Sequence, residues 1–234
     1  MTTELEKAII GTIERNRISS TEVADVLNKT GLLRGIKPIN GGHFIAGKVM
    51  YTYAHDESNF ALHRQIADVI EGSIVFVDCF QCNERAALGH LVSKYLVLYR
   101  RAKGVVVNGY IRDVHRIRKD GFPIWAVGGT PIGCFNTDTE LTASLNQEIE
   151  KRKKEFEGSV LVCDESGCTL IGHQAINEEL LKKLEFIELQ EDIWYFCIDT
   201  LKWDTFRTVC LKEYLKDPSV LPETLRKRLN EFDL

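Results

Sequence analysis

Three short runs decide the fold: Ser73–Asp78 reads SIVFVD, Gly104–Asn108 reads GVVVN and Ile124–Gly128 reads IWAVG. Each is an almost unbroken apolar, β-branched run bounded by glycine or a polar residue, the pattern of a strand buried on both faces. Between the first two lies Glu84–Ala102, helical in composition with Gly89 near its start. A strand, a helix and a strand joined by a connection of this length predict a right-handed crossover onto a parallel neighbour. The fold class expected is therefore α/β with a mostly parallel core sheet.

Upstream, Ser19 followed by Glu22 forms a capping box, and Val23, Val26 and Leu27 share a helical face until Gly31 ends it. Residues 34–43 carry Gly35, Pro38, Gly41 and Gly42 and read as a loop, followed by a strand over Phe44–Ala54 and a helix over Ser58–Ile70. Downstream, the charge-rich stretch from Thr139 to Glu157 reads as a solvated helix. Ser159–Cys163 and Thr169–Ile171 read as two short strands around an Asp164-Glu165-Ser166-Gly167 turn. Beyond Asn177 the chain is expected to be helical, apart from a strand at Ile193–Ile198, and Pro218 and Pro222 precede a final amphipathic helix. This divides the chain into an α/β domain over 1–175 and a mostly helical extension over 176–234.

The 234 residues are 44% hydrophobic and 27% charged, as in folded globular domains, which excludes disorder and collagen-like repetition. Thirty Lys and Arg stand against thirty-four Asp and Glu, a formal charge of −4, so no uniform positive field exists to hold nucleic acid. Charges interrupt every apolar run in the first thirty residues, and no later segment reaches about eighteen apolar residues, so neither a signal peptide nor a membrane span is expected. Seven cysteines, an odd number without an export signal, predict reduced thiols and a cytoplasmic address.

Ligands of open α/β sheets collect beyond the carboxyl ends of parallel strands, which directs attention to Asp78 and to Asn108–Asp113 (NGYIRD). Arg112 offers a planar fork matching a carboxylate, and Asp113 a hard oxygen suited to a magnesium-like ion that keeps most of its waters. An Arg-Asp dipeptide alone is commonplace on protein surfaces. Gly89-His90-Leu91-Val92 could present backbone N–H groups at a helix start, although a glycine kept for close packing is the plainer reading. Cys79 with Cys82, and Cys163 with Cys168, have spacings compatible with zinc or redox pairs, while packed core thiols are the commoner fate. Of the six histidines only His90 and His115 lie near these loops, as an acid or base or as structural groups.

The stretches SIVFVDCFQCNERAALGHLV, RAKGVVVNGYIRDV and FPIWAVGGTP resemble the RraA-like family, which includes regulators of ribonuclease activity and the 4-hydroxy-4-methyl-2-oxoglutarate/4-carboxy-4-hydroxy-2-oxoadipate aldolases. A weaker likeness continues through STEVADVL, Asn59, AGKVMYTY and VLVCDESGCTLI, so that it spans residues 19–172. The resemblance implies a swivelling-type β/β/α sandwich assembled as a homotrimer or homohexamer, with the site at a subunit boundary. It further implies that Arg112 binds the pyruvyl part of a substrate, Asp113 binds Mg2+ or Mn2+, and the backbone of Gly89, His90, Leu91 and Val92 caps the substrate carboxylate.

Several positions depart from the aldolase pattern. Arg116 stands where an acidic residue is expected, His90 replaces an acidic residue, Asn108 an aspartate and Tyr51 a threonine, and 135–158 replaces a β-rich stretch. Two functions follow. One is a metal-dependent lyase acting on a small 2-oxo acid, by aldol cleavage or oxaloacetate-type decarboxylation, which Asp113 favours because the regulator-type members lack it. The other is a non-catalytic regulator that masks a protein partner, which Arg116 favours.

Overall fold

The computed structural model describes residues 3–232 of the chain. These divide into two compact units, Met1–Asn177 and Glu178–Leu234.

The first unit opens with helices α1 (Glu4–Asn16) and α2 (Ser20–Val26), each started by a capping box, Thr3 with Glu6 and Ser19 with Glu22. The second box is the one the sequence announces, but its helix stops at Val26, ahead of Gly31. Then follow β1 (Lys37–Pro38), β2 (Ile45–His55), α3 (Phe60–Gln65), β3 (Ile74–Phe80), β4 (Ala86–Leu88), α4 (His90–Lys94), β5 (Gly104–Ile111), α5 (Val114–Lys119), β6 (Ile124–Gly129), α6 (Ala143–Phe156), β7 (Val160–Cys163) and β8 (Cys168–Ile171). A single 3-10 turn, Ile66–Asp68, ends the helix expected to reach Ile70, and α4 continues as a π turn over Tyr95–Tyr99.

The strands form one mixed sheet in the order β1-β6-β5-β3-β2-β7-β8, with β4 paired to β5. β2·β3, β3·β5, β4·β5 and β5·β6 are parallel, and β1·β6, β2·β7 and β7·β8 antiparallel. The three decisive runs are thus adjacent parallel strands with Val75 opposite Val105 and Val106 opposite Trp125. Alternate side chains go to opposite faces. Val75, Val77, Val105, Val107, Ile124 and Ala126 enter one buried cluster, with Leu62, Leu96 and Ile117 from the helical segments. Ile74, Phe76, Val106 and Trp125 enter the other, with Leu145, Ile149 and Phe156 of α6. Burying one such side chain is worth about 1.5–3 kcal/mol, which explains why these runs carry almost no polar residue.

Two local expectations fail here. Ala86–Leu88 is a strand inside a stretch of helical composition, because its backbone pairs with Tyr110 and Ile111 of a β5 that runs through Gly109 instead of closing there. α6 is more than a solvated helix, because Leu145, Ile149 and Phe156 are buried.

In the second unit, α7 (Glu178–Asp199) is a single 22-residue helix, and it absorbs the run expected as a strand at Ile193–Ile198. Ile193 and Cys197 are apolar because they pack with Leu189, Tyr214, Leu221 and Leu229. Trp194 Nε1 donates to the Tyr214 hydroxyl at 3.1 Å. The short helices α8 (Glu213–Lys216) and α9 (Glu223–Leu229) complete the unit. Among the described residues no helix is long and apolar enough to cross a membrane.

Candidate functional site

The carboxyl ends of β4 and β5 meet at Arg112, whose backbone N–H donates to Leu88 O at 3.0 Å. β4 is held from its other side by the segment that follows β6, with Ala86 N–H donating to Ile132 O and Cys134 N–H to Ala86 O. Gly89 leaves β4 with extended backbone and stands at the N-cap of α4, while Asp113 leaves β5 in the left-handed region (φ 59°) at the N-cap of α5. That conformation favours glycine, with Asn and Asp the best tolerated of the rest, so an aspartate held there without a side-chain cap bond is a local cost of about 1 kcal/mol or more.

Two glycines leave space for the pair. A Cβ on Gly89 would lie 2.6 Å from Asp113 Oδ2 and 2.8 Å from Arg112 Cγ, and one on Gly133 would lie 2.6 Å from an Arg112 terminal nitrogen. Both readings of Gly89 therefore have a structural basis, since it permits close packing and also opens a helix. The His90 N–H is committed, donating to Asp113 Oδ2 at 3.3 Å, whereas Leu91 and Val92 follow it in the first turn, where N–H groups have no acceptor within the helix. Among the described residues neither Arg112 nor Asp113 makes an ion pair, so an unpaired guanidinium and an unpaired carboxylate stand next to each other.

Both line a cavity of ≈ 180 Å³ with Gly89, Leu91 and Val92, with Asn59, which the weaker family likeness included, and with His63, Gly133, Cys134 and Asn136, which the sequence reading did not single out. Asn59 is only 8% exposed; its Nδ2 donates to Ala87 O at 3.0 Å, and its Oδ1 has no partner. The cavity has room for a small fragment such as pyruvate, with its six non-hydrogen atoms.

The other candidates lie elsewhere. The His90 ring turns to Asp120, with Nε2 2.7 Å from Oδ2, and stacks on Phe122, so His90 lends the site its backbone alone. The Asp120 carboxyl is held below its usual range, chiefly by that His90 hydrogen bond. His115 is exposed on α5 and does not line this cavity. Asp78 is not an open strand end: it is 2% exposed, receives Arg152 Nε at 2.8 Å and Asn108 Nδ2 at 2.7 Å, and takes the Tyr51 hydroxyl at 3.3 Å. Burial first, and then Asp78, pushes the Tyr51 phenol above its ordinary range. Cys163 and Cys168 face each other across β7·β8, both buried, and all seven thiols are free.

Among the described residues no three His, Cys, Asp or Glu side chains converge on one point. A closed zinc site is not built here. A magnesium-like ion is held through one or two carboxylates while water and substrate oxygens complete its shell, and Asp113 is the carboxylate this cavity offers.

The family model described as RraA-like, Aldolase/RraA, matches residues 20–170. A Shewanella oneidensis protein named "Putative 4-hydroxy-4-methyl-2-oxoglutarate aldolase" is 28% identical over 126 residues, 53% of this chain and 71% of that protein. Among solved structures, an uncharacterized protein from Pseudomonas syringae pv. tomato superposes with a TM-score of 0.67 at 19% identity, covering 86% of this chain and 92% of that one. Streptomyces coelicolor RraAS2, an unusual member of the RNase ES inhibitor RraA protein family, gives a TM-score of 0.59 at 21% identity, covering 79% and 94%. At these identities the structural likeness bears on the fold alone.

Proposed function

The chain belongs to the RraA-like family, and from that premise we propose that it is a divalent-metal-dependent lyase acting on a small 2-oxo acid. The observation that carries this reading is the unpaired Arg112 and Asp113 side by side in one cavity of ≈ 180 Å³. A guanidinium left without a protein partner is free to take a substrate carboxylate through two parallel hydrogen bonds. The N–H groups at the start of α4 add fixed dipoles to the same task. The Asp113 carboxylate would hold Mg2+ or Mn2+, with the His90 N–H fixing one of its oxygens.

When bound, such an ion supplies Lewis acidity toward a 2-keto oxygen. Around it the chain's own groups bind and orient: Arg112 fixes the pyruvyl end, and Gly89 and Gly133 keep room for the guanidinium. Aldol cleavage and oxaloacetate-type decarboxylation both leave a pyruvate enolate, and the cavity accepts either. The reading carries with it the swivelling β/β/α description, assembly as a trimer or hexamer with the site at a subunit boundary, and a cytoplasmic location.

The test is proton exchange. Incubated with pyruvate, Mg2+ or Mn2+ and heavy water, the protein should exchange the pyruvate methyl protons, followed by NMR. Absence of exchange with both ions contradicts the lyase reading and favours the second one, a non-catalytic protein that masks a protein partner. That second reading has one observation in its support: Arg116, where the aldolase pattern has an acid, is exposed on α5.

A further inference from the structure

His63, Leu91 and Val92 also line a second, larger cavity of ≈ 490 Å³, whose remaining walls include Ile66, Tyr95 and Tyr99. Its lining is mainly apolar. Leu91 is 80% exposed and Tyr99 70%, so this apolar lining is open to solvent. Tyr95 and Tyr99 begin and end the π turn, a widened helical turn that is uncommon in proteins and occurs often at functional sites.

We infer that this groove holds the part of the substrate beyond the pyruvyl head, and that this part is an apolar, aryl- or alkyl-bearing group instead of a second carboxylate. The inference rests on the lyase reading and narrows its substrate class to 4-hydroxy-2-oxo acids with an apolar substituent on C4. For such a substrate the C3–C4 bond breaks, the C4 hydroxyl loses its proton as C4 becomes the carbonyl of a leaving aldehyde or ketone, and the bonding pair remains on C3. Protonation of C3 then gives pyruvate, so no oxidant or co-reactant is needed.

The lining of the groove agrees. One lysine, Lys94, lines the groove, and apart from His63 its other walls are Ile66, Ala67, Leu91, Val92, Tyr95 and Tyr99, so the surface offered to a tail is predominantly apolar or aromatic. His63 lines both cavities, and the C4 hydroxyl of a substrate spanning them would lie near it.

Binding separates this inference from the lyase reading. With Mg2+ present, calorimetry should give 2-oxo-4-phenylbutanoate at least a tenfold lower Kd than 2-oxoglutarate. The two probes share the 2-oxo acid head and differ in the tail. Ala67→Trp, which fills the groove from the 3-10 turn after α3, should weaken the phenyl probe at least tenfold more than it weakens pyruvate. Equal or tighter binding of 2-oxoglutarate, or a tryptophan variant that affects both probes alike, overturns the inference. So does a change in sedimentation mass of that variant, which would make the groove a contact between copies of this chain. If the phenyl probe wins but pyruvate protons do not exchange, the groove stands and the lyase reading falls.

Discussion

The Asp113 carboxylate and the α-carbon of Gly89 are packed so closely that a methyl group on Gly89 would come within 2.6 Å of Oδ2, while the adjacent His90 N–H donates to that same oxygen. Two segments 23 residues apart in sequence are thereby locked to each other. The first consequence concerns Gly89→Ala. The backbone there is extended, so alanine adds no torsional strain, and its effect comes from displacing Asp113 and Arg112. A misplacement of about 1 Å can cost about a hundredfold in rate, so pyruvate proton exchange should fall ten- to a hundredfold while circular dichroism and melting stay near wild type. Unchanged exchange would mean that the two side chains have room to move.

Arg112→Lys keeps the charge and loses the fork. A charge-assisted hydrogen bond is worth roughly 1.5–3 kcal/mol, so kcat/KM should fall about ten- to a hundredfold. A solvated arginine would cost less than about 1 kcal/mol. A lysine variant within twofold of wild type rules out bidentate binding.

The ion pair of Asp78 and Arg152 makes a prediction about stability. Arg152→Ala leaves a buried carboxylate facing Asn108 and Tyr51 alone and removes the stacking of the guanidinium on Phe156, 4.2 Å above its ring. Breaking a buried pair costs about 3–5 kcal/mol, and with a quarter of the arginine side chain still in water a loss of about 2–4 kcal/mol is expected in urea unfolding. Asp78→Asn combined with Arg152→Met should recover most of it. If Arg152→Ala costs under 1 kcal/mol, the helix α6 is not anchored through this pair.

How much of this was legible in the sequence follows from where the information sits. SIVFVD, GVVVN and IWAVG announced themselves because burial on both faces forces an apolar residue at nearly every position. Ala86–Leu88 did not, since three small or flexible residues carry no strand signal and only pairing with β5 makes them one. Ile193–Ile198 misled for the opposite reason, a dense apolar run belonging to a long helix with its own core. At the site, Arg112, Asp113 and Gly89 were visible as motif residues at strand ends. Asn59 entered only through the weaker family likeness, and His63, Gly133 and Cys134 were not visible, because they arrive from two other segments, α3 and the stretch after β6, and no local spacing links them. Asp78 looked available since its partner, Arg152, is 74 residues away.

The thiols offer a pH-dependent check. Cys82 contacts Cys134, which lowers it, but the hydrogen bond to Cys79 and burial outweigh this and push it up to about 12. At pH 8 only about one Cys82 in ten thousand is then a thiolate, and that fraction grows with pH toward the raised value. Cys210 is exposed and should react with iodoacetamide first, with the buried Cys82, Cys163 and Cys168 protected in the folded protein. Mass spectrometry of the labelled peptides gives the order. Cys82 labelled as fast as Cys210 at pH 8 would contradict the buried arrangement.

The central claim is that Asp113 and Arg112 form one site for a metal ion and a pyruvyl group, and the most direct measurement is pyruvate methyl proton exchange in heavy water at saturating Mn2+, wild type against Asp113→Asn. Asparagine tolerates the left-handed backbone of that position and keeps the side chain's size, so the fold is preserved while the charge is lost. Metal-dependent exchange in the wild type and a loss of at least a hundredfold in the folded variant is the result predicted. Equal exchange in the two proteins, or none in the wild type, would contradict it.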